Sequence, residues 1–180
     1  MMVTERLKLV PATIALCDAE ERGADYVARA LGATVPESWP PPVFEPDDVA
    51  RVREQLLADP TASRWTLYYV LRDSESGAAP PALIGIAGFI GPPTSDGVVE
   101  IGYAIVPQQQ RQGFATEAVR ALLDLALADA SVRVVVATTY ADLHPSIRVL
   151  QKAGFIETAC TPATGLMRFE YRRSTSRPAA

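Results

Sequence analysis

The chain has little of what builds metal and redox centres. Two of its 180 residues are cysteine and one is histidine. Cys17 and Cys160 lie far apart and match no metal-ligand or redox spacing. His144 stands in no His/Cys/Asp cluster of ligand spacing, and no Ser–His–Asp set can be placed. Long apolar runs are missing as well. Nothing approaches the ~18–20 residues that span a bilayer. The start, MMVTERLKLV, lacks the basic stretch, apolar core and small-residue site of a secretory leader. These absences point to a cytoplasmic protein with no metal and no membrane partner.

Basic excess is missing too. Net charge is −4, with 11 acidic and 6 basic residues through position 60 and 10 and 11 beyond it. An acidic N-terminal third argues against nucleic-acid binding. It suits a cationic or amine substrate, or is simply a solvated helical surface. What is present is ordinary: 48% apolar and 21% charged residues, as in a soluble globular protein. The length fits one domain, over 1–173, burying roughly two-thirds of its unfolded surface. Residues 174–180 read as a frayed tail.

Patterning predicts a mixed α/β sheet. ERLKLVPA (5–12) reads as a strand, and 13–33 as two short helices with Gly23 between them. Five prolines exclude regular structure from VPESWPPPVFEP (35–46). DDVARVREQLLAD (47–59) has helix-spaced Val49, Val52, Leu56 and Leu57 after two acids. Strands are expected at 64–72, 82–91 and 98–106, with turns at 73–81 and PPTSDG. A helix runs to about 129, then a strand over 132–140, a helix over 144–154, and two last strands in FIETAC and GLMRFEYR. Three strands joined by short turns imply an antiparallel part. The strand–helix–strand unit over 98–140 implies a parallel crossover.

Chemistry concentrates in QQQRQGFATEA (108–118), where a strand gives way to a helix. The N–H groups of a helix start have no internal partner and carry partial positive charge, so such a turn suits an anion. Gly113 permits close approach and unusual backbone angles. Ala115 keeps the next contact position small. Gln110, Arg111 and Gln112 add donors, and Thr116 adds a hydroxyl. The stretch reads as a pyrophosphate cradle or as a plain strand–helix turn. It has neither the P-loop nor the dinucleotide spacing.

IVPQQQRQGFATEA resembles the acetyl-CoA loop of the GNAT N-acyltransferase superfamily, (Q/R)-x-x-G-x-(G/A), as Gln110-x-x-Gly113-x-Ala115. VEIGYAIVP before it, FATEAVRALLDLAL after it and HPSIRVLQKAGFIET resemble the branch of the ribosomal-protein N-terminal acetyltransferases. TERLKLVPAT resembles that branch's first strand. The likeness covers most of 3–172 and is weakest over 13–60. It implies a GNAT-like fold in which strands 98–106 and 132–140 splay apart. Backbone near Ile105 would hold the pantetheine arm, and the N–H groups of 111–116, Phe114 included, the pyrophosphate. An amine would attack the thioester of acetyl-CoA directly.

Glu100, the one acid in an apolar strand, is the general base through water, faces solvent, or pairs with an arginine. Leu150 stands where many relatives have a tyrosine donor, and Leu143 where the branch usually has asparagine. Ser146 resembles the branch's serine. It donates to sulfur, bonds the cofactor, or caps the helix. His144 takes over a polar contact, acts as acid or base near neutral pH, or is exposed; Tyr140 is a further possible donor. Trp39 and Phe44, with Glu37 and Glu45, form the lip of an acceptor site or a clasp on the sheet. The acceptor implied is a protein N-terminus or a small primary amine, and the exposed edges of such a sheet leave room for a homodimer. The rival readings are an acyl-CoA-binding or partner-binding module without turnover, and an ATP-using enzyme.

Overall fold

The computed structural model describes residues 1–74 and 79–173. The tail expected at 174–180 and part of the expected 73–81 turn lie outside the described residues. The strands are β1 (Met2–Val3), β2 (Leu7–Pro11), β3 (Leu67–Arg72), β4 (Ala82–Phe89), β5 (Val98–Ile105), β6 (Val134–Tyr140), β7 (Ile156–Thr161) and β8 (Leu166–Arg172). The helices are α1 (Ile14–Arg22), α2 (Ala24–Leu31), α3 (Pro46–Ala58), α4 (Phe114–Leu127) and α5 (His144–Ala153). The strands form one sheet in the order β1-β2-β3-β4-β5-β6-β8-β7. Only β5 and β6 pair in parallel among the described strands.

Helices cover both faces, so the central strands are apolar on both sides. In β3, Tyr68 and Val70 join the core under α4 and α5, while Tyr69 and Leu71 join the core under α1, α2 and α3. That is the period-two alternation of a strand read out as two cores. Local signals start and stop the helices. Thr13 accepts from Leu16 N–H at the start of α1, and Gly23 parts α1 from α2. Glu45 and Asp48 form a capping box at α3, with Pro46 in its first turn. Gly154 ends α5 in a left-handed conformation, φ +94°.

Two elements differ from the sequence expectation. The expected strand at 64–72 begins at Leu67, because Pro60–Trp65 coil into a 3₁₀ turn held by Asp59, which accepts from Thr61 N–H at 2.9 Å. β1 pairs Met2 with Leu9 and Val3 with Lys8, and is too short to show a pattern of its own.

The feature that positions the site is a parting of strands. β5 and β6 pair from Val98↔Val134 to Ile101↔Ala137 and no further. β5 stays with β4 as far as Ile105↔Gly85, and β6 stays with β8 as far as Tyr140↔Leu166. A V-shaped slot opens between them in mid-sheet, as the resemblance implies.

One wall of this slot leans on a glycine. A Cβ at Gly85 would collide with the Ala104 carbonyl oxygen and press on Ile105. We expect Gly85→Ala to cost about 2 kcal/mol, as overpacking does, and to lower Tm by about 4–8 °C for a chain of this size. A thermal melt that moves by less than one degree would show that β5 can yield there.

Candidate functional site

The slot's backbone faces can be read from its neighbours. Val106 N–H donates to the Ile84 carbonyl and Ile90 N–H to the Glu100 carbonyl, so even-numbered residues of β5 turn their polar groups to β4. Tyr103 and Ile105 therefore turn theirs to the slot. Ile105 is buried and its carbonyl already accepts from Gln110 Nε2 at 2.9 Å. That leaves its N–H, and the peptide groups of Tyr103, for a ligand lying along the slot. Gln110 thus braces the turn with its side chain.

The turn beyond β5 is wound to expose amides. Arg111 has φ +63° and Gly113 φ +88°, two left-handed residues with Gln112 between them. Successive N–H groups in such a turn converge on a concavity that accepts anions. Among the described residues, no N–H of positions 111–116 donates to another group of the chain; the first helical bond is Glu117 N–H to the Gly113 carbonyl, 3.0 Å. The Phe114 side chain is buried in the core, so only its amide is available. Ala115 and Thr116 are half-buried, while Arg111 and Gln112 are exposed.

Two arginines that sequence reasoning missed lie behind this turn. The Arg6 and Arg72 guanidiniums sit 4.5 and 5.8 Å from the Phe114 ring centroid. Arg6 Nη1 donates to the Gln112 carbonyl at 3.1 Å, and its Nη2 pairs with Glu117 at 2.7 Å. Arg72 Nη1 donates to Gln109 Oε1 at 3.1 Å, while its buried Nε has no partner among the described residues. Arg6 lies just before β2 and Arg72 ends β3, both far away in sequence, so no local pattern announced them. A groove of about 870 Å³ runs from Gly113 and Thr116 along α4 to Arg120 and Lys152.

Glu100 sits at the apex of the V. It is half-buried, and Thr138 Oγ1 of β6 donates to its Oε1 at 3.0 Å. No arginine pairs with it among the described residues, so that alternative falls away. Beside it, a Cβ at Gly102 would meet nothing nearer than 3.9 Å, which leaves room on the α1–α3 face. Tyr140 is 51% exposed at the mouth, on a cleft of about 320 Å³ shared with Leu143 and Gly165.

Ser146 does not cap α5. The capping position is Leu143, and Ser146 lies in the first turn with its Oγ 3.0 Å from Tyr103 Oη. Tyr103 Oη also donates to the Ser146 carbonyl at 3.1 Å. Burial pushes the Tyr103 hydroxyl up to about 12, with the Ser146 hydrogen bond acting the other way. Tyr103 reads in sequence as one more strand aromatic, and only the fold carries it to Ser146. His144 is exposed and Leu150 is fully buried among apolar side chains.

The proline-rich loop is a clasp with one polar hinge. Phe44 is buried, and Glu45 serves as the α3 cap. Glu37 is exposed. Trp39 packs 6.2 Å from Phe44 and 6.3 Å from Tyr69, and its Nε1 donates to Glu20 Oε2 at 3.2 Å. Burial holds the Glu20 carboxyl above the usual range, only partly offset by the hydrogen bond from Trp39 and the nearby Tyr69 hydroxyl. Ser38 Oγ reaches the turn after β5, at Gln108 Oε1, 2.6 Å.

Comparison with known proteins agrees with this geometry. The family model described as an acetyltransferase (GNAT) domain matches residues 6–156. The uncharacterized N-acetyltransferase YjdG of Bacillus subtilis is 27% identical over 156 residues, 87% of this chain and 89% of that one. The fold is similar to that of RimL, the ribosomal L7/L12 alpha-N-protein acetyltransferase in complex with coenzyme A, with a TM-score of 0.63 at 16% identity, covering 95% of this chain and 96% of the other. It is also similar to the microcin C7 self-immunity acetyltransferase MccE in complex with acetyl-CoA and AMP, with a TM-score of 0.61 at 13% identity and 94% of each chain.

The first turn of α4 generates a pH prediction. Burial raises the Glu117 carboxyl, but the bonds from Thr4 and Arg6 outweigh it and hold it below the ordinary value. A depressed carboxylate contributes stability above its unfolded value and loses it as pH falls through the folded one. Denaturant midpoints are expected to drop between about pH 5 and 3, and less steeply in Glu117→Gln. Equal slopes would show that the cluster does not help hold β2 to α4.

Proposed function

The chain belongs to the GNAT acetyltransferase family and is an acetyl-CoA-dependent N-acetyltransferase, and we propose that it does this chemistry in the slot between β5 and β6. The observation that carries the reading is the pairing of two open features. Strands part after Ile101, and the six amides of 111–116, which donate to nothing among the described residues, stand at the end of the wall that continues from there. The slot takes the extended pantetheine arm as a pseudo-strand against Tyr103 and Ile105. The amides of 111–116 hold the pyrophosphate, with Arg111 and Thr116 at its edge and Arg6 and Arg72 behind it. This makes 1–173 one catalytic domain.

An amine must lose its proton before it attacks, since at neutral pH it is mostly protonated in water. Glu100 is the base in this reading, through water, because it stands at the apex beside the open space over Gly102. A slot N–H of β5 stabilises the developing oxyanion. The acceptor enters over the α1–α3 face, past Trp39, whose bond to Glu20 adds an acid to that wall. A protein N-terminus or a small primary amine fits an acidic N-terminal third. No helix is long and apolar enough to cross a membrane among the described residues, and we place the enzyme in the cytoplasm. The edge strand β7 is exposed along its length and offers a surface for a homodimer.

Acetyl-CoA at ~100 times its dissociation constant should add about 2.7 kcal/mol of stability, a rise of a few degrees in Tm, where ATP and NADH do not. Glu100→Gln should keep that shift and lose about 10²–10⁴ of amine-dependent thiol release. No shift at millimolar acetyl-CoA would sink the cradle. A full shift with unchanged turnover in Glu100→Gln would remove Glu100 as the base.

A further inference from the structure

We infer that Arg72 is a cation left unneutralised for the pyrophosphate of coenzyme A: it draws that group onto the turn from behind, and it adds nothing to the stability of the free protein. The inference deepens the acetyl-transfer reading and rests on it. β3 and β5 both run antiparallel to β4, so they end on the same side of the sheet. Arg72 closes β3 there, as Ile105 closes β5. Its guanidinium stands 5.8 Å from the ring centroid of Phe114, the first residue of α4. Its Nη1 donates at 3.1 Å to Gln109 Oε1, in the turn between β5 and α4.

The acids around Arg72 are already engaged. Arg6, at the same ring, is neutralised by Glu117, which accepts from its backbone N–H and its Nε and pairs with its Nη2 at 2.7 Å. Glu117 Oε1 also accepts from Thr4 Oγ1. Asp73, next to Arg72 in the chain, pairs with Lys8 Nζ at 2.8 Å. The cross-strand neighbours of Arg72 are Leu7 and Ala82, neither of which carries charge. Among the described residues Arg72 makes no ion pair. A neutral amide oxygen is its one hydrogen-bond acceptor there, and its Nε, shut off from water, has none.

Such an arrangement is unfavourable without a ligand. The start of α4 is itself positive, so a cation beside it is repelled. A half-buried guanidinium gives up hydration and gains no counter-charge in return. An arginine cannot relieve this by shedding its proton, as a buried lysine does. A pyrophosphate on the amides of 111–116 reverses the balance. Its charge meets the helix end and Arg72 together, and salt screens a partly buried cation less than an exposed one. Arg111 is exposed and lacks that shielding. Gln109 joins the two sides, because the residue that accepts from Arg72 belongs to the turn that leads to those amides.

Melting and calorimetry on the full chain test the inference with Arg72→Gln and Arg72→Lys. Without ligand, Arg72→Gln should melt within about 2 °C of the wild type or above it. Its dissociation constant for acetyl-CoA should rise about tenfold, the size of one charge–charge interaction near a protein surface, and depend less on salt. The dissociation constant for pantetheine, which has the arm and no pyrophosphate, should stay as in the wild type. Arg72→Lys keeps the charge and should bind acetyl-CoA more tightly than Arg72→Gln. The inference is overturned if Arg72→Gln melts lower than that, if it binds acetyl-CoA as the wild type does, if pantetheine weakens by the same factor, or if the lysine binds no better than the glutamine. A wild type that does not bind acetyl-CoA would count against the acetyl-transfer reading. Inorganic pyrophosphate would still decide Arg72, raising the Tm of the wild type and not that of Arg72→Gln if the inference holds, and both alike if it fails.

Discussion

The structure depends on an unfinished ladder. A sheet stabilises itself by pairing every buried N–H and C=O, and an unpaired one costs about as much as a lost hydrogen bond. Here pairing stops at Ile101↔Ala137, in the middle of an eight-stranded sheet. Each strand has another neighbour to hold it. β5 keeps β4 and β6 keeps β8, so the parting is rigid on both sides. Helices on both faces then keep the gap from closing or drying into core. What remains is a slot whose polar groups can be satisfied only by water or by another extended chain. A pantetheine arm, with its two amides, is such a chain.

The turn after β5 extends the same logic by other means. A left-handed non-glycine residue such as Arg111 is strained by roughly 1–2 kcal/mol, and the strain holds amides outward that a relaxed turn would bond internally. The neighbouring contacts keep it in place. Gln110 ties the turn to the Ile105 carbonyl, and Arg6 ties it to the Gln112 carbonyl. Glu117 anchors Arg6 through two hydrogen bonds and an ion pair from a side chain 16% exposed. The turn is therefore held in shape by the chain's own contacts, and in the proposed role as a cradle that would reduce the ordering cost of binding.

Much of this was legible in sequence because it is local. Apolar periodicity located both crossover strands and α4 between them, and Gly113 marked the wound turn that leads into α4. The two short helices around Gly23 and the irregular proline stretch were legible for the same reason. What was not legible is what joins residues far apart. Arg6 and Glu117 are 111 positions apart, and Tyr103 and Ser146 are 43 apart. Tyr103 sits in a strand where an aromatic needs no explanation, and Arg72 ends a strand where a charge is expected. Gln110 was read as an anion donor, whereas the nearest acceptor is the carbonyl of its own preceding strand. Side-chain amides choose partners by distance, and the sequence does not state distances.

The proposed acceptor side rests on the same geometry. The proline-rich loop lacks regular structure, yet several side-chain contacts tie it down. Trp39 is pinned between Phe44 and Tyr69 on one side and Glu20 on the other, and one residue earlier Ser38 bonds Gln108 of the turn after β5. A displacement of Trp39 by an incoming amine would pull on Ser38, and through it on the turn leading into the cradle. The reverse holds for a ligand that tightens the turn. Coupling of this kind is reciprocal in binding free energy. It needs no moving domain, only a loop too stiff with proline to absorb the shift itself. In the proposed reading, the prolines that deny the segment regular structure make it a strut between the acceptor side and the turn after β5.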